Sequence, residues 1–149
     1  MMHSMLSAEV KNIIKSLRLE PHPEGGFYRE TFRERKGNNK GRFASTAIYF
    51  LIIENHPTRW HKIKSSEVWH WYAGSPLKLY YAAPHSSVKE VTLGFNLQKK
   101  VHPQYCVPAG WWQKARTLGA WTLVGCTVAP GFCFKDLILA PENENPPFS

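Results

Sequence analysis

The residues best suited to acid–base chemistry lie in the segment 59–74, which carries His61 and Glu67. An imidazole ionises near neutral pH, and a neighbouring carboxylate can orient the ring and stabilise its charged form. If residues 59–63 and 67–72 form an antiparallel hairpin, the two-residue period of a strand places both side chains on facing positions. We therefore predict that His61 is a general base oriented by Glu67. A purely structural His–Glu hydrogen bond in the core is the alternative.

A second group of side chains could hold a ligand near this pair. They are aromatic or cationic: Tyr49, Lys62, Trp69, Trp71, Trp112 and Arg116. Indole and phenol rings can stack on a sugar or a base, and cations can hold a phosphate. The same residue types also fill cores and solvated surfaces, so both interpretations stay open. His70 has the opposite strand parity from Glu67, and we expect it to contribute to stability rather than to chemistry.

The elements that must position these residues are one helix and a series of short strands. Ser7 precedes apolar residues at helical spacing, which predicts an amphipathic helix over residues 8–18. The remaining chain alternates short β-favouring segments with Gly and Pro turns. The predicted strands are 27–33, 46–53, 59–63, 67–72, 77–83, 88–93, 105–107, 112–115, 121–128 and 132–139. Strands this short and closely spaced predict an all-β sandwich or barrel, and a Greek-key jelly roll fits the length.

Composition predicts one domain and no membrane partner. A chain of 149 residues with 43% hydrophobic content is the size of a single domain. We assign the barrel to residues 27–140, with a polar loop at 35–42 and a loose tail at 141–149. No apolar run approaches the ~20 residues that a membrane helix needs. The three cysteines cannot all pair with one another, which favours a reducing cytoplasm.

The charge balance favours an anionic partner without identifying it. The formal net charge is +8, and the strongest basic cluster, interleaved with aromatic residues, lies between Arg29 and Arg42. Such a cluster could contact a nucleic-acid backbone. The sequence contains no recognisable nucleic-acid-binding motif, however, and charged loops are usually solvated. We therefore expect a small-molecule ligand rather than nucleic acid.

Two short motifs resemble those of the cupin superfamily. The spacing of His61, Ile63, Glu67 and Gly74 overlays the first cupin motif, and Pro-Ala-Gly-Trp-Trp-Gln at 108–113 overlays the second. Further segments resemble hallmarks of an uncharacterised branch, cupin family 5: 21–26, 45–51, 66–74 and 124–132. The resemblance implies a cupin double-stranded β-helix, or jelly roll, usually paired as a homodimer. It also implies structural similarity to sugar-nucleotide 3,5-epimerases.

Departures from the cupin motifs argue against a metal cofactor. A metal-binding cupin supplies three His and one Glu, whereas this sequence has Ile63 and Gln113 at two of those positions. Two strong ligands and an amide make a poor transition-metal site. We therefore expect no metal and assign Gln113 to ligand binding. The resemblance to metal-free epimerases implies that His61 is the base, while their acidic Tyr has no counterpart that a motif locates here.

The sequence thus predicts a cytoplasmic, homodimeric cupin with one N-terminal α-helix, which binds a small polar metabolite, sugar or nucleotide-like, in its barrel. It is either a metal-independent isomerase or epimerase, or a non-catalytic ligand-binding or interaction protein. A metal-dependent cupin enzyme and a weak nucleic-acid binder are the remaining alternatives.

Overall fold

The computed structural model describes residues 6–37 and 42–149 and begins with the helix α1, Ala8–Leu17. The Ser7 hydroxyl caps its first turn by accepting a hydrogen bond from the Val10 N–H at 3.2 Å. Arg18 ends the helix in the left-handed conformation, with φ of 55°. The helix predicted over residues 8–18 is therefore confirmed. No helix in the described residues is long and apolar enough to cross a membrane.

The described part of the chain then forms eleven strands. They are β1 (Glu20–Pro21), β2 (Phe27–Gly37), β3 (Phe43–Ile53), β4 (His61–Lys62), β5 (Ser66–Gly74), β6 (Leu77–Ala82), β7 (Lys89–Leu93), β8 (Gln104–Val107), β9 (Trp112–Thr117), β10 (Trp121–Ala129) and β11 (Ile138–Leu139). The six-stranded sheet has the order β1-β2-β3-β10-β5-β8, and the five-stranded sheet has the order β11-β4-β9-β6-β7. These antiparallel sheets confirm the all-β class predicted from strand spacing.

The two sheets pack face to face, and β3 is buried on both of its sides. Phe50 and Ile52 lie with Trp69 in the apolar cluster between the sheets. Leu51 lies in a second cluster with Val10, where α1 covers the outer face of the six-stranded sheet. Because successive side chains of a strand point to opposite faces, double burial requires the continuous apolar run that the sequence shows in β3.

The segment 59–74 does not form the expected hairpin. Strand β4 pairs with β9 and β11 in the five-stranded sheet, whereas β5 pairs with β10 and β8 in the six-stranded sheet. The chain crosses from one sheet to the other over residues 63–65. His61 and Glu67 therefore approach each other across the sandwich rather than along one strand ladder.

Other boundaries also differ from the prediction. The segment 132–139 is a 3-10 turn, Phe134–Asp136, followed by the short β11. Residues 35–37 of the predicted loop belong to β2, and residues 38–41 lie outside the described residues. The tail expected to be loose is anchored, because the Phe148 ring packs on Trp112 with centroids 4.9 Å apart. The composition of the tail does not predict a single aromatic contact of this kind.

Three cations of the basic cluster between Arg29 and Arg42 are bonded within the fold. Arg33 forms an ion pair with Glu30 at 2.6 Å. Arg42 contacts Asp136 at 3.4 Å, and Arg29 Nε donates to a carbonyl at the end of α1 at 2.7 Å. These three side chains therefore do not form a free row of cations.

The turn before β2 requires glycine at position 26, because the surrounding packing leaves no space for a side chain. Gly26 has φ of +77°, and a Cβ there would lie 2.7 Å from the Leu51 carbonyl oxygen and 2.8 Å from the Phe50 ring. Gly110 has the same φ of +77°, but a Cβ there would have no atom within 4 Å. We expect Gly26→Ala to lower the free energy of unfolding by about 3 kcal/mol and Gly110→Ala by about 1 kcal/mol. Urea denaturation measures both, and equal losses would contradict the packing argument.

Candidate functional site

The polar groups of the fold converge on a small cavity between the two sheets. Its volume is about 20 Å³, which is room for about one water-sized group. Its polar lining comes from both sheets and from the turn before β2: His22, Glu24, Glu30, Thr46, His61, Glu67 and Cys126. The exposed lining residues are Glu30 and Phe134, and the partly exposed rings of Tyr28 and Phe132 also belong to the lining. The cavity therefore opens at the end that carries Phe134.

Glu24 and His61 form a buried pair in one wall. His61 Nε2 lies 3.0 Å from Glu24 Oε2, with the two side chains 2% and 6% exposed. His61 Nδ1 lies 2.7 Å from the Arg59 carbonyl oxygen, and because a carbonyl only accepts, Nδ1 carries a proton. In an uncharged pair, the contact between Nε2 and Oε2 then holds one further proton.

Burial determines where this further proton rests. It lowers the pKa of His61 to about 4, and the hydrogen bond to the Arg59 carbonyl opposes that shift only in part. Burial, followed by the nearby charge of Glu67, raises the pKa of Glu24 well above its ordinary value. Both directions favour a neutral imidazole that accepts a hydrogen bond from protonated Glu24 over an ion pair. The pair is therefore uncharged near neutral pH and holds one exchangeable proton.

Glu67 faces the cavity from β5 and is held by a chain of directional hydrogen bonds. The Trp69 indole N–H can only donate, and Nε1 lies 2.8 Å from Gln113 Oε1. This contact orients the amide so that Gln113 Nε2 donates to Glu67 Oε1 at 2.7 Å. The Cys126 thiol also donates to Glu67, yet burial outweighs both hydrogen bonds and raises the pKa of Glu67 to about 7.

His22 lies beside Glu24 in the turn before β2. Its Nδ1 accepts a hydrogen bond from the Glu24 backbone N–H at 3.1 Å, so the proton of the neutral ring is on Nε2. The ring packs against Tyr28 and Phe50, with centroid distances of 4.6 and 5.3 Å. Burial, with a smaller effect from His61, lowers the pKa of His22 to about 3. His22 is therefore a neutral imidazole at physiological pH.

The residues at the cupin-motif positions do not fit a metal ion. Ile63 offers no ligand atom, and the only good ligand atom of Gln113, Oε1, already accepts the Trp69 N–H. Within residues 6–37 and 42–149, no three His, Cys, Asp or Glu side chains are grouped so that they could hold a metal ion.

The structure brings some of the predicted residues together. His61 and Glu67 both line the cavity, and Trp69 and Gln113 lie behind Glu67 as described above. The expected orientation of His61 by Glu67 is not what the structure shows. The carboxyl group at hydrogen-bond distance from His61 is that of Glu24.

Strand parity places other predicted ligand residues away from the cavity. Tyr49 alternates with inward-facing neighbours in β3, so it lies on the outer face, where Arg29 stacks on its ring at 5.5 Å. Trp112 alternates with Gln113 in the same way. It packs on the outer face of the five-stranded sheet, with Lys62 Nζ 4.8 Å from its ring centroid.

Two further candidates are bonded elsewhere. Arg116 is exposed and donates to the Tyr80 hydroxyl at 3.3 Å. Trp71 packs against the apolar core and donates to the Ser75 carbonyl at 3.0 Å. Neither side chain lines the cavity.

Sequence reasoning missed His22 and Glu24 as functional residues. The segment Pro21-His-Pro-Glu-Gly-Gly26 contains two Pro and two Gly, and this pattern by itself indicates only a turn. The turn is present, but Glu24 is only 5% exposed. A carboxyl group that a Gly-rich turn buries needs a partner, and a scan for acid–base residues in this family hallmark segment would have found both side chains.

Comparisons with known proteins identify the family and the fold. The family model of the cupin superfamily described as DUF985 matches residues 11–140. Protein SO0799 from Shewanella oneidensis has a similar structure, with a TM-score of 0.83, 34% identity and coverage of 91% of this chain and 85% of that chain. A hypothetical protein from Leishmania major gives a TM-score of 0.79, 32% identity and coverage of 89% and 86%.

More distant structures share the fold alone. Oxalate decarboxylase from Bacillus subtilis gives a TM-score of 0.61 at 11% identity, covering 80% of this chain and 29% of that chain. No curated protein matches this sequence.

The raised pKa of Glu67 predicts a stability that depends on pH. Its folded value of about 7 lies above the ordinary 4.5, so folding favours the protonated form, and the stability from this group is lost as the pH rises toward 7. We expect the difference in free energy of unfolding between wild type and Glu67→Gln to change by about 3 kcal/mol between pH 5 and pH 8, in favour of the variant at high pH.

Urea denaturation at both pH values measures this difference, because the histidine contributions are common to the two proteins and cancel. Glu54→Gln, at an exposed carboxyl, is the matched control and should show no such change. A pH-independent difference for Glu67→Gln would show that the carboxyl is ionised throughout.

Proposed function

This chain belongs to the DUF985 family of the cupin superfamily, and on that premise we propose that it binds the reacting end of a small polar metabolite in its cavity and moves a proton on that end. The observation that carries the proposal is the contact of 3.0 Å between His61 Nε2 and Glu24 Oε2 in a buried wall. A buried acid–base pair with one exchangeable proton is typical of proton transfer sites. Proton transfer by this pair does not require a metal ion.

Two proton-carrying groups face the cavity from opposite sheets. His61 comes from β4 in the five-stranded sheet, and Glu67 comes from β5 in the six-stranded sheet. A substrate carbon between them could lose a proton to one side and regain it from the other. Glu67, with a pKa of about 7, is well suited to accept a proton at neutral pH. This arrangement supports isomerisation or epimerisation next to a carbonyl group.

The cavity volume limits what can enter. About 20 Å³ admits one functional group rather than a whole sugar ring. The rest of the metabolite, such as a sugar or nucleotide-like portion, would lie against Tyr28, Phe132 and Phe134 at the open end. The same small volume favours the second candidate function, a ligand-binding protein without turnover.

Cysteine chemistry supports a proposal about the compartment. Cys106, Cys126 and Cys133 are all free thiols, which is typical of a reducing environment. On that ground we propose a cytoplasmic location.

Proton transfer can be tested without knowing the substrate. In a metabolite extract dissolved in D₂O, we expect the wild-type protein to introduce deuterium at a carbon position of one or a few compounds. We expect His61→Asn to lower the exchange rate at least about 100-fold, because it removes Nε2 and keeps a donor for the Arg59 carbonyl. Mass spectrometry measures the deuterium gain.

His70→Asn is the control, since His70 Nε2 lies 3.0 Å from Thr127 Oγ1 and the side chain does not line the cavity. Its exchange rate should equal that of the wild type. Absence of exchange in the wild type, or normal exchange in His61→Asn, would overturn the enzymatic proposal.

We also expect a homodimer. The edge strands β7 and β8 leave backbone groups open to pairing, and Phe95 and Leu97 nearby are 71% and 68% exposed. Sedimentation at micromolar concentration should give a species of twice the 17.1 kDa chain mass. A species of one chain mass alone would refute this expectation.

A further inference from the structure

We propose that His22 is a catalytic residue whose Nε2–H donates a hydrogen bond to the carbonyl oxygen of the substrate, so that the cavity accepts an aldehyde or ketone and rejects an anionic group. This inference rests on the proposed function and names the chemical class of its substrate.

The tautomer of His22 is fixed by its own turn. The Glu24 backbone N–H donates to Nδ1 at 3.1 Å, so Nδ1 is an acceptor and the ring proton is on Nε2. The neighbouring residue of the turn therefore determines which nitrogen of His22 can act as a donor.

This donor has no protein partner. The His22 side chain is 5% exposed and lines the cavity, yet no group in the described residues accepts a hydrogen bond from its Nε2. In the described residues, the fully buried side-chain atoms without a partner are Arg42 Nε and Arg59 Nε, so the His22 N–H is accessible and can meet a ligand. An acceptor atom on a ligand would satisfy it.

The charges around the cavity select the kind of acceptor. Three carboxyl groups line it, those of Glu24, Glu30 and Glu67, and no Lys or Arg belongs to its described lining. A phosphate or carboxylate placed there would meet no cationic side chain in the described lining, and the Arg33 guanidinium beside Glu30 is already bonded to that carboxylate. A carbonyl oxygen is the uncharged acceptor that matches the His22 donor.

The donor has a defined role in the chemistry. When a base takes the proton next to the carbonyl, the C–H electron pair forms a C=C bond and the carbonyl π pair moves to oxygen. The Nε2–H of His22 stabilises the charge that develops on that oxygen, and return of a proton to carbon completes the reaction with no net redox change. A neutral imidazole is well suited to this role because its N–H remains a donor over the whole working pH range.

Two substitutions separate this role from a structural one. In His22→Asn, Oδ1 occupies the place of Nδ1 and keeps the hydrogen bond from the Glu24 N–H, but the Nε2 donor is lost. In His22→Gln, the amide nitrogen lies near the place of Nε2 and keeps the donor, but the acceptor for Glu24 is lost. A structural role of His22 requires the acceptor at the Nδ1 position, whereas a catalytic role requires the donor at the Nε2 position.

The first readout is deuterium exchange into hydroxyacetone, a neutral ketone, followed by proton NMR in D₂O. We expect His22→Asn to lower the exchange rate about 100-fold and His22→Gln to retain most of it. Pyruvate, whose carbonyl adjoins a carboxylate, should exchange far more slowly than hydroxyacetone with the wild-type protein. Equal rates for wild type and His22→Asn, or for the two ketones, would overturn the assignment of His22.

The second readout is the ¹⁵N NMR signal of His22 in histidine-labelled wild-type protein. Hydroxyacetone should shift the Nε2 resonance and pyruvate should not. If hydroxyacetone shifts this signal without any exchange, carbonyl recognition by His22 stands and the proposed proton transfer fails. If hydroxyacetone leaves the signal unchanged, the assignment of His22 is wrong, whatever the exchange data show for other metabolites.

Discussion

The backbone of one residue, Arg59, connects the groups on which the cavity depends. Its N–H donates to the Glu24 carbonyl oxygen at 2.7 Å, and its own carbonyl accepts the proton of His61 Nδ1 at 2.7 Å. The carboxyl group of Glu24 and the imidazole of His61 then meet at 3.0 Å. These contacts close a ring that joins the turn before β2 to strand β4. Because each contact restrains the others, the buried acid keeps its partner without any contribution from solvent.

The crossing of the chain between sheets gives the site its two-sided character. If residues 59–72 formed a hairpin, His61 and Glu67 would lie on adjacent strands of one sheet and could hydrogen-bond to each other. The crossing over residues 63–65 instead puts them on facing walls, and each has its own hydrogen-bond partner. Glu67 is held by Gln113, and His61 by Glu24. Because the two side chains do not hydrogen-bond to each other, a ligand can lie between them.

Much of the fold could be predicted from the sequence, because its signals are local. The Ser7 cap, the apolar run of β3 and the turn residues each depend on a few neighbours in the chain. The site was only half predictable. His61 and Glu67 carry a motif spacing, but the partnership of Glu24 with His61 depends on how a Gly-rich turn packs against a distant strand. The prediction that Tyr49 and Trp112 bind the ligand is wrong because both side chains lie on outer faces of their sheets. Which face a strand residue occupies depends on the exact register, and composition does not determine it.

The indole of Trp69 also constrains how this chain could change over time. Its N–H needs the Gln113 oxygen, and the Gln113 amide in turn serves Glu67. A histidine at position 113 would restore one metal-ligand position of the cupin motif and leave a fully buried indole N–H without its acceptor. Ile63 would also have to be replaced by a ligand residue before the site could bind a metal ion. A change at position 113 alone is therefore a loss, and the metal-free and metal-bound forms of this cavity are separated by more than one substitution.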